Sequence, residues 1–282
     1  MPLWEAEEVV DAARAAQLIR AQFPNVPAQT VELVSEGWDY AVYRVDGEWA
    51  FRFPRREVVV AGTRRELDIL PRLAPVLPVA IPVPVLVGEF PWPFYGAPFL
   101  PGREAVQSDG GAVAADLGRV LRALHDVELE VELPVDPLGR ADMTVRVPRT
   151  REQLRQHDVD AEALLAEAAS LPPPEHVAVC HGDLHVRQLL VADGRLSGVV
   201  DWVDVCRSDP AVGLSVAWSF LDADARRSFF DEYGAIDRAR EIRARGVALF
   251  LSAYLVEWAG AENVPAVLET ASAGLRRAAE GA

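Results

Sequence analysis

The chain is 282 residues long, half of its residues are hydrophobic, and its formal net charge is −15. This length can bury one large core or two smaller ones, and the negative charge argues against nucleic acid or an anionic membrane as a partner. All 28 basic residues are arginines, which excludes a lysine-based phosphate loop and a lysine Schiff base.

The N-terminal sequence lacks the basic and apolar regions of a secretory signal. The longest uncharged run, residues 73–88, contains four prolines, which a single membrane-spanning helix would not tolerate. The two cysteines, Cys180 and Cys206, do not define a disulfide from sequence. We therefore expect a cytoplasmic protein with reduced thiols and no membrane partner.

The first hundred residues have the pattern of a small lobe rich in strands. An amphipathic helix is predicted over residues 5–22, and a second helix over Thr63–Leu73. Asp46-Gly47 is typical of a two-residue hairpin turn. The predicted strands cover residues 31–34, 41–45, 48–53 and 83–88.

The stretch Pro98-Phe99-Leu100-Pro101-Gly102 is typical of a hinge, so we place the domain boundary between residues 1–100 and 101–282. Beyond it the pattern is mainly helical. Helices are predicted over residues 111–127 and 153–170 and in three segments from residue 222, with a short buried strand at 177–180. The expected class is α+β with two lobes: a small N-terminal β-sheet lobe with one helix, and a larger, mainly helical C-terminal lobe.

Residues 181–201 carry most of the chemical information. Asp193-Gly194 predicts a two-residue turn that joins two strands. Counting outward from this turn places Leu189 opposite Gly198. The open end of the hairpin then lies where the loop of residues 181–187 emerges.

This hairpin would gather Asp183, Gln188 and Asp201 into one region. One carboxylate can orient an attacking hydroxyl group, while a second carboxylate and an amide oxygen can hold Mg²⁺ against a triphosphate. Protein kinases use the pattern H-x-D-x-x-x-x-N, followed by an aspartate after the next hairpin. The chain has the same spacing from His181 to Gln188, and Asp201 begins the sequence Asp-Trp-Val. The pattern predicts phosphoryl transfer.

Further motifs make this likeness more specific. His181-Gly-Asp-Leu-His185 and Val199-Val-Asp-Trp202 resemble the aminoglycoside phosphotransferase family, which includes the macrolide phosphotransferases and has a protein-kinase-like fold. Residues 36–40 resemble the loop with which this family covers the nucleotide. Residues 51–56 resemble the macrolide-type strand that carries a phosphate-contacting base. The resemblance extends over roughly residues 30–220.

The resemblance implies a role for each matching residue. Asp183 would be the catalytic base, and Gln188 and Asp201 would hold Mg²⁺. Arg52 would contact the phosphates of ATP or GTP, braced by Glu66. Further nucleotide contacts are expected at Ser35, Pro98, Phe99 and Leu100, and acceptor contacts at His185, Asp204, Glu257 and Glu262. The acceptor would be a hydroxylated small molecule, and the acidic second half of the chain is compatible with a cationic one, such as an aminoglycoside or a macrolide.

Three positions depart from the family pattern. Gln188 replaces the usual Asn, Arg52 replaces the usual Lys, and Gly213 falls where many relatives carry an acid. Two alternatives therefore stay open: a kinase for a small metabolite such as a sugar or an amino alcohol, and a catalytically silent nucleotide-binding protein. A zinc hydrolase using the cysteine and histidine residues is a third, although their spacing matches neither a paired-cysteine site nor an H-E-x-x-H helix.

Overall fold

The structure is a computed structural model that describes residues 6–37, 39–106 and 108–281. The chain divides into two compact units. The first unit comprises Met1–Pro75 and Ala80–Pro101, and the second comprises Val76–Val79 and Gly102–Ala282. Within the described ranges, no helix combines the length and the apolar content needed to cross a membrane.

The first unit contains an antiparallel sheet. Its strands are β1 (Val31–Glu36), β2 (Tyr40–Val45), β3 (Trp49–Pro54), β4 (Leu86–Glu89) and β5 (Pro93–Pro98). They are ordered β1-β2-β3-β5-β4. Asp46, Gly47 and Glu48 join β2 to β3, and Asp46 and Gly47 have φ angles of 51° and 73°. The predicted tight turn is present, with Glu48 N donating to Val45 O at 3.1 Å. Because Val45 pairs with Trp49, however, the connection has three residues rather than the two expected.

Two helices belong to this unit, α1 (Ala12–Gln22) and α2 (Val60–Leu73), and a short 3-10 turn (Glu57–Val59) precedes α2. The predicted start of the first helix at residue 5 is wrong, although residue 5 itself lies outside the described residues. The Asp11 side chain accepts a hydrogen bond from Arg14 N at 2.7 Å and caps the helix one residue before its first turn. Aspartate is among the strongest N-caps, and here it outweighs the apolar periodicity of the preceding residues.

Alternation along β3 separates a core face from a polar face of the sheet. Phe51 and Phe53 are buried in the aromatic core, together with Phe94 of β5 and Ile19 of α1. The rings of Phe53 and Phe94 stack with their centroids 4.6 Å apart. Because successive side chains of a strand point to opposite faces, Arg52 lies on the other side of the sheet.

The second unit is mainly helical and holds two small sheets. Its strands are β6 (Arg103–Glu104), β7 (Ala178–Cys180), β8 (Leu189–Ala192), β9 (Arg195–Val199) and β10 (Cys206–Ser208). Its helices are α3 (Gly110–Asp126), α4 (Met143–Leu154), α5 (Glu162–Ala169), α6 (Ala211–Leu214), α7 (Val216–Ser219), α8 (Ala223–Tyr233), α9 (Arg238–Ala261) and α10 (Pro265–Glu280). The strand orders are β6-β8-β9 and β10-β7. The three predicted helical segments after residue 222 correspond to α8, α9 and α10.

Two local predictions in this unit are wrong. The single helix expected over residues 153–170 is instead the end of α4 followed by α5. The chain leaves α4 at Leu154 and α5 begins only at Glu162, whose N–H donates a hydrogen bond to the Asp160 side chain at 3.1 Å. In the β8–β9 hairpin, Leu189 faces Val199 rather than Gly198, since an irregularity between Leu190 and Val191 shifts the register by one residue.

Candidate active site

The loop that follows β7 carries the predicted catalytic residue and is fixed by His181. His181 Nε2 donates a hydrogen bond to Val200 O at 2.9 Å, and His181 Nδ1 accepts one from Asp183 N at 3.4 Å. The ring also packs against Trp202, with the ring centroids 4.7 Å apart. Burial lowers the pKa of His181, which keeps the ring neutral. His181 is therefore a structural residue that connects this loop to the end of β9.

Gly182 is required by close packing in the same loop. Its φ angle is +91°, and a Cβ atom at this position would lie 2.1 Å from the Asp204 carbonyl oxygen. A side chain would therefore be strained and would also collide with the backbone. The segment around Gly182 and the segment around Asp204 are held together at this point.

Arg140 is the residue of this region that the sequence patterns missed. Its Nη2 atom lies 2.9 Å from Asp183 Oδ1, and Nη1 and Nη2 both lie 3.1 Å from Asp204 Oδ2. Nη1 also donates a hydrogen bond to Gly182 O at 2.5 Å. Nothing in the local sequence distinguishes Arg140 from the other arginines, because its contacts join segments more than 40 residues apart.

Burial and the charged groups around Asp183 shift its pKa in opposite directions. Burial raises the pKa of Asp183, Arg140 opposes this shift, and the carboxylates of Asp204 and Asp201 add to it. Burial alone would lower the pKa of Arg140, but Asp183 and Asp204 more than offset this effect and raise it. The loop that carries Asp183 is also linked to the backbone next to Asp201, because His181 is hydrogen-bonded to Val200 O.

His185 and Gln188 complete the loop. His185 Nδ1 accepts a hydrogen bond from Arg187 N at 3.3 Å, and His185 Nε2 lies 3.8 Å from Asp183 Oδ2. Burial, with a smaller effect of Arg187, lowers the pKa of His185 to about 3, so its contact with Asp183 is not an ion pair at neutral pH. Gln188 Oε1 accepts a hydrogen bond from His185 N at 3.2 Å.

Asp201 follows the end of β9 and lies beside Gln188. Gln188 O accepts a hydrogen bond from Val200 N at 2.9 Å, which ties the two strand ends together. Asp201 adopts a left-handed conformation with φ of 65°. Aspartate tolerates this conformation better than most residues, and functional sites are where it is often found.

These two side chains fit the needs of nucleotide-bound magnesium. Mg²⁺ in such sites is usually held by one or two carboxylates together with substrate phosphates and waters. Asp201 supplies a carboxylate, and the amide oxygen of Gln188 has a second lone pair beyond the one engaged by His185 N. Among the described residues, no group of three or more His, Cys, Asp or Glu side chains could hold a metal by itself.

In the first unit, Arg52 of β3 and Glu66 of α2 form a buried ion pair. Arg52 Nη1 lies 3.1 Å from Glu66 Oε1, and the Glu66 side chain has no exposed surface. The Arg52 guanidinium group also lies 3.7 Å from the centroid of the Tyr40 ring. The Tyr40 hydroxyl group is in turn hydrogen-bonded to Thr63 Oγ1 of α2 at 2.9 Å. The pair is thereby fixed between the sheet and α2.

The remaining nucleotide contacts expected from sequence lie elsewhere in the first unit. Pro98 has no N–H group, and the Phe99 N–H donates to Glu48 O at 2.7 Å. Of these three residues, Leu100 is therefore the one whose N–H is a candidate donor to a nucleobase. Ser35 is exposed on β1, opposite Val42. Trp38, in the segment expected to cover the nucleotide, lies outside the described residues.

Of the acids expected to contact the acceptor, Asp204 contacts Arg140, and the other two lie at the C-terminal end of α9. Glu257 is exposed on this helix and Glu262 is exposed just after it. Arg187 connects this end of the helix to the loop that carries Asp183, because its guanidinium group lies 4.3 Å from the centroid of the Trp258 ring. Arg187 Nε also lies 3.5 Å from Glu104 Oε2.

Comparison with known proteins decides the family. Residues 30–249 match the model of the phosphotransferase enzyme family. The chain belongs to this family. No curated protein sequence matches this phosphotransferase.

Several solved structures are similar to this phosphotransferase. The GDP complex of aminoglycoside 2'-phosphotransferase-IIIa is 19% identical, with a TM-score of 0.71 over 96% of this chain and 99% of that chain. The GDP and kanamycin complex of APH(2'')-IIIa is 20% identical, with a TM-score of 0.72 over 95% and 98%. The macrolide 2'-phosphotransferase MphH from Brachybacterium faecium is 21% identical, with a TM-score of 0.65 over 92% and 97%.

These findings confirm the resemblance, the enzyme class and the two-lobed kinase-like fold expected from sequence. The structural neighbours have low sequence identity, so their similarity concerns the fold. The roles of individual residues are therefore inferred from the contacts within this chain.

Proposed function

We propose that this phosphotransferase transfers the γ-phosphoryl group of ATP or GTP to a hydroxyl group of an aminoglycoside or macrolide antibiotic. The observation that carries this proposal is the surroundings of Asp183. Its side chain is only partly exposed, at 29%, and its loop is joined through the His181–Val200 hydrogen bond to the end of the adjacent hairpin, where Asp201 lies. Two carboxylates in this relation are what phosphoryl transfer to a hydroxyl group requires.

In the proposed reaction, Asp183 orients the acceptor hydroxyl group and receives its proton. A bond forms between the hydroxyl oxygen and the γ-phosphorus atom, and the bond from that phosphorus to the β–γ bridging oxygen breaks. The products are the phosphorylated acceptor and the nucleoside diphosphate. Positioning and charge stabilisation supply most of the rate enhancement in this kind of reaction.

The nucleotide would be held by charges that the fold already fixes. Arg52, braced by Glu66, would contact the phosphates, and the guanidinium group offers a fork of donors suited to phosphate oxygens. Mg²⁺ bound by Gln188 and Asp201 would neutralise charge on the phosphates. Leu100 would contact the nucleobase through its backbone, with further contacts from the segment around Ser35.

The proposed acceptor class follows from the relatives together with the charge of the chain. The structural neighbours include a complex with kanamycin and a macrolide phosphotransferase. Most of the negative charge of this chain lies after residue 100, which favours a cationic acceptor. We place acceptor contacts at His185 and at the exposed acids Glu257 and Glu262.

A transfer screen tests this proposal. The protein would be incubated with magnesium and ATP or GTP labelled at the γ-phosphate, together with kanamycin, gentamicin, streptomycin or erythromycin. Glucose and choline would serve as metabolite acceptors, and reactions without acceptor as controls. We expect label on an antibiotic. Label on glucose or choline alone would identify a metabolite kinase, and nucleotide binding with no transfer to any acceptor would contradict the proposal.

A further inference from the structure

Arg140 lies at the centre of the contacts around Asp183. Its side chain is 13% exposed, and its guanidinium group contacts Asp183, Asp204 and Gly182 O. We propose that Arg140 is a positioning residue for phosphoryl transfer: it fixes the carboxylate of Asp183 in place, and Asp204 anchors it. This inference rests on the proposed function of Asp183 as the base.

The shape of the guanidinium group suits this role. Nη2 contacts Asp183 Oδ1 at 2.9 Å and Asp204 Oδ2 at 3.1 Å, so a single nitrogen bridges the two carboxylates. Nη1 contacts Asp204 Oδ2 at 3.1 Å and Gly182 O at 2.5 Å. A planar group with several donors in fixed directions can make all of these contacts at once, whereas the ammonium group of lysine cannot.

Arg140 is itself held by its own loop. The carboxylate of Asp136 accepts hydrogen bonds from Arg140 N at 2.8 Å and from Ala141 N at 2.9 Å. Asp136 N in turn donates to Arg207 O, at 2.9 Å, in the strand that pairs with β7. The backbone that carries Arg140 is therefore connected to the strand that leads into the Asp183 loop.

These contacts assign different tasks to the two oxygens of Asp183. Oδ1 is engaged by Arg140, whereas Oδ2 lies 3.8 Å from His185 Nε2, which is beyond hydrogen-bond length. We assign Oδ2 as the oxygen that receives the proton of the acceptor. Asp204 then acts on Arg140 rather than on the acceptor, unlike the role expected from sequence, so contacts to cationic groups of the acceptor fall to other acids.

Removal of Arg140 would release the Asp183 carboxylate and leave two carboxylates without their shared cation. A misplacement of about 1 Å in a catalytic group can cost about 10²-fold in rate. We therefore expect Arg140→Met to lower kcat for transfer about 100-fold, while KM for the nucleotide changes by no more than about threefold. Arg140→Lys should lie between this variant and the wild type, because it restores charge without the bridging geometry.

The matched control is Arg245→Met. Arg245 is a buried arginine of the second unit, and it donates hydrogen bonds to Ala278 O at 3.1 Å and to Ala279 O at 2.8 Å. This variant should lower the thermal midpoint and leave kcat within about threefold of the wild type. Arg140→Ala supplies a second readout, since millimolar guanidinium ion should partly restore its kcat and should not raise kcat of the control.

Crystal structures of the wild type and of Arg140→Met test the positioning without turnover. We expect the Asp183 carboxylate to occupy a different position in the variant. If the wild type transfers no phosphate, the proposed function fails, but these two structures still decide whether Arg140 fixes Asp183. If Arg140→Met does not fold, Asp204→Asn provides the same comparison, because it removes the charge of the anchor. An Asp183 position that does not change, or a kcat in Arg140→Met equal to that of the control, would overturn the inference.

Discussion

Each unit of this phosphotransferase contains an arginine of low exposure paired with a carboxylate, but the two pairs differ in how exposed they are. In the first unit, the side chains of Arg52 and Glu66 are 9% and 0% exposed. In the second, those of Arg140 and Asp183 are 13% and 29% exposed. The Asp183 side chain is thus more accessible than that of Glu66, as its proposed role as the base requires.

The surroundings of the two arginines support the same distinction. Arg52 packs on the Tyr40 ring, which is itself bonded to α2. Arg140 contacts two carboxylates and the carbonyl group of Gly182. Under the proposed roles, the carboxylate of the first pair fixes its arginine for the nucleotide, and the arginine of the second pair fixes its carboxylate for the reaction. Changes at the first pair should therefore lower stability and nucleotide affinity, while changes at the second should lower the rate.

The largest effect on stability is expected at the first pair. Arg52→Met leaves the carboxylate of Glu66 buried without its cation, and breaking a buried ion pair in this way costs about 3–5 kcal/mol. Nucleotide affinity should fall as well. Urea unfolding and calorimetric titration with ATP or GTP would measure the two effects.

Arg72→Met is the control for this prediction. Arg72 pairs with Asp68 on the same helix at 2.9 Å, but both side chains are more than half exposed. Such exposed pairs contribute no more than about 0.5 kcal/mol to the free energy of unfolding, so this variant should be nearly as stable as the wild type. Equal stability of the two variants would show that the Arg52–Glu66 ion pair does not stabilise the fold.

A second prediction concerns the close approach in the Asp183 loop. Gly182→Ala forces a Cβ atom against Asp204 O, so the loop must move. We expect the variant to lose about 3 kcal/mol in free energy of unfolding, or to lose most of its activity. Gly194→Ala is the matched control, since Gly194 also has positive φ, +72°, but its Cβ would meet nothing within 4 Å. That variant should lose only about 1 kcal/mol and keep its activity. Transfer assays and urea unfolding of both variants test this, and equal losses would contradict it.

A smaller effect is expected on the pH dependence of stability. It concerns the second unit, because all five histidines lie there. Burial, with a smaller effect of Arg240, lowers the pKa of His125 from 6.5 to about 3. The unfolded chain therefore binds a proton below pH 6.5 that the folded chain does not bind. Stability from this group is complete above pH 6.5 and is lost as the pH falls toward 3.

We expect His125 to account for about 2 kcal/mol of lost stability between pH 7 and pH 5. The variant His125→Gln should show a correspondingly smaller decrease in urea unfolding at these two pH values, whatever its stability at pH 7. An unchanged pH dependence would mean that His125 titrates normally in the folded chain.

Part of the site could be predicted because it depends on local patterns. The Asp193-Gly194 turn and the spacing from Asp183 to Gln188 are short-range signals, and the Arg52–Glu66 pairing follows from the resemblance to the family. Arg140 could not be predicted, since its partners are distant in sequence and a single loop arginine has no periodic signal. The same holds for the register shift near Leu190, which depends on how the strand packs in three dimensions.

Gly213 illustrates a departure that sequence could not interpret. The resemblance to the family implies an acid at this position, whereas a Cβ atom here would lie only 2.8 Å from His125 Nε2. His125 Nδ1 is hydrogen-bonded to the Tyr233 hydroxyl group at 2.9 Å. The absence of a side chain at residue 213 therefore gives room to the His125 ring, which explains the substitution by packing rather than by chemistry.

The most direct test of Asp183 as the base is a comparison of the wild type with Asp183→Asn, which has nearly the same shape but cannot accept the proton. Phosphate transfer to the preferred acceptor and the dissociation constant of the nucleotide would be measured on both proteins. We predict that kcat falls about 10³-fold, while nucleotide affinity changes by no more than about threefold. A variant that transfers phosphate at the wild-type rate would contradict the account.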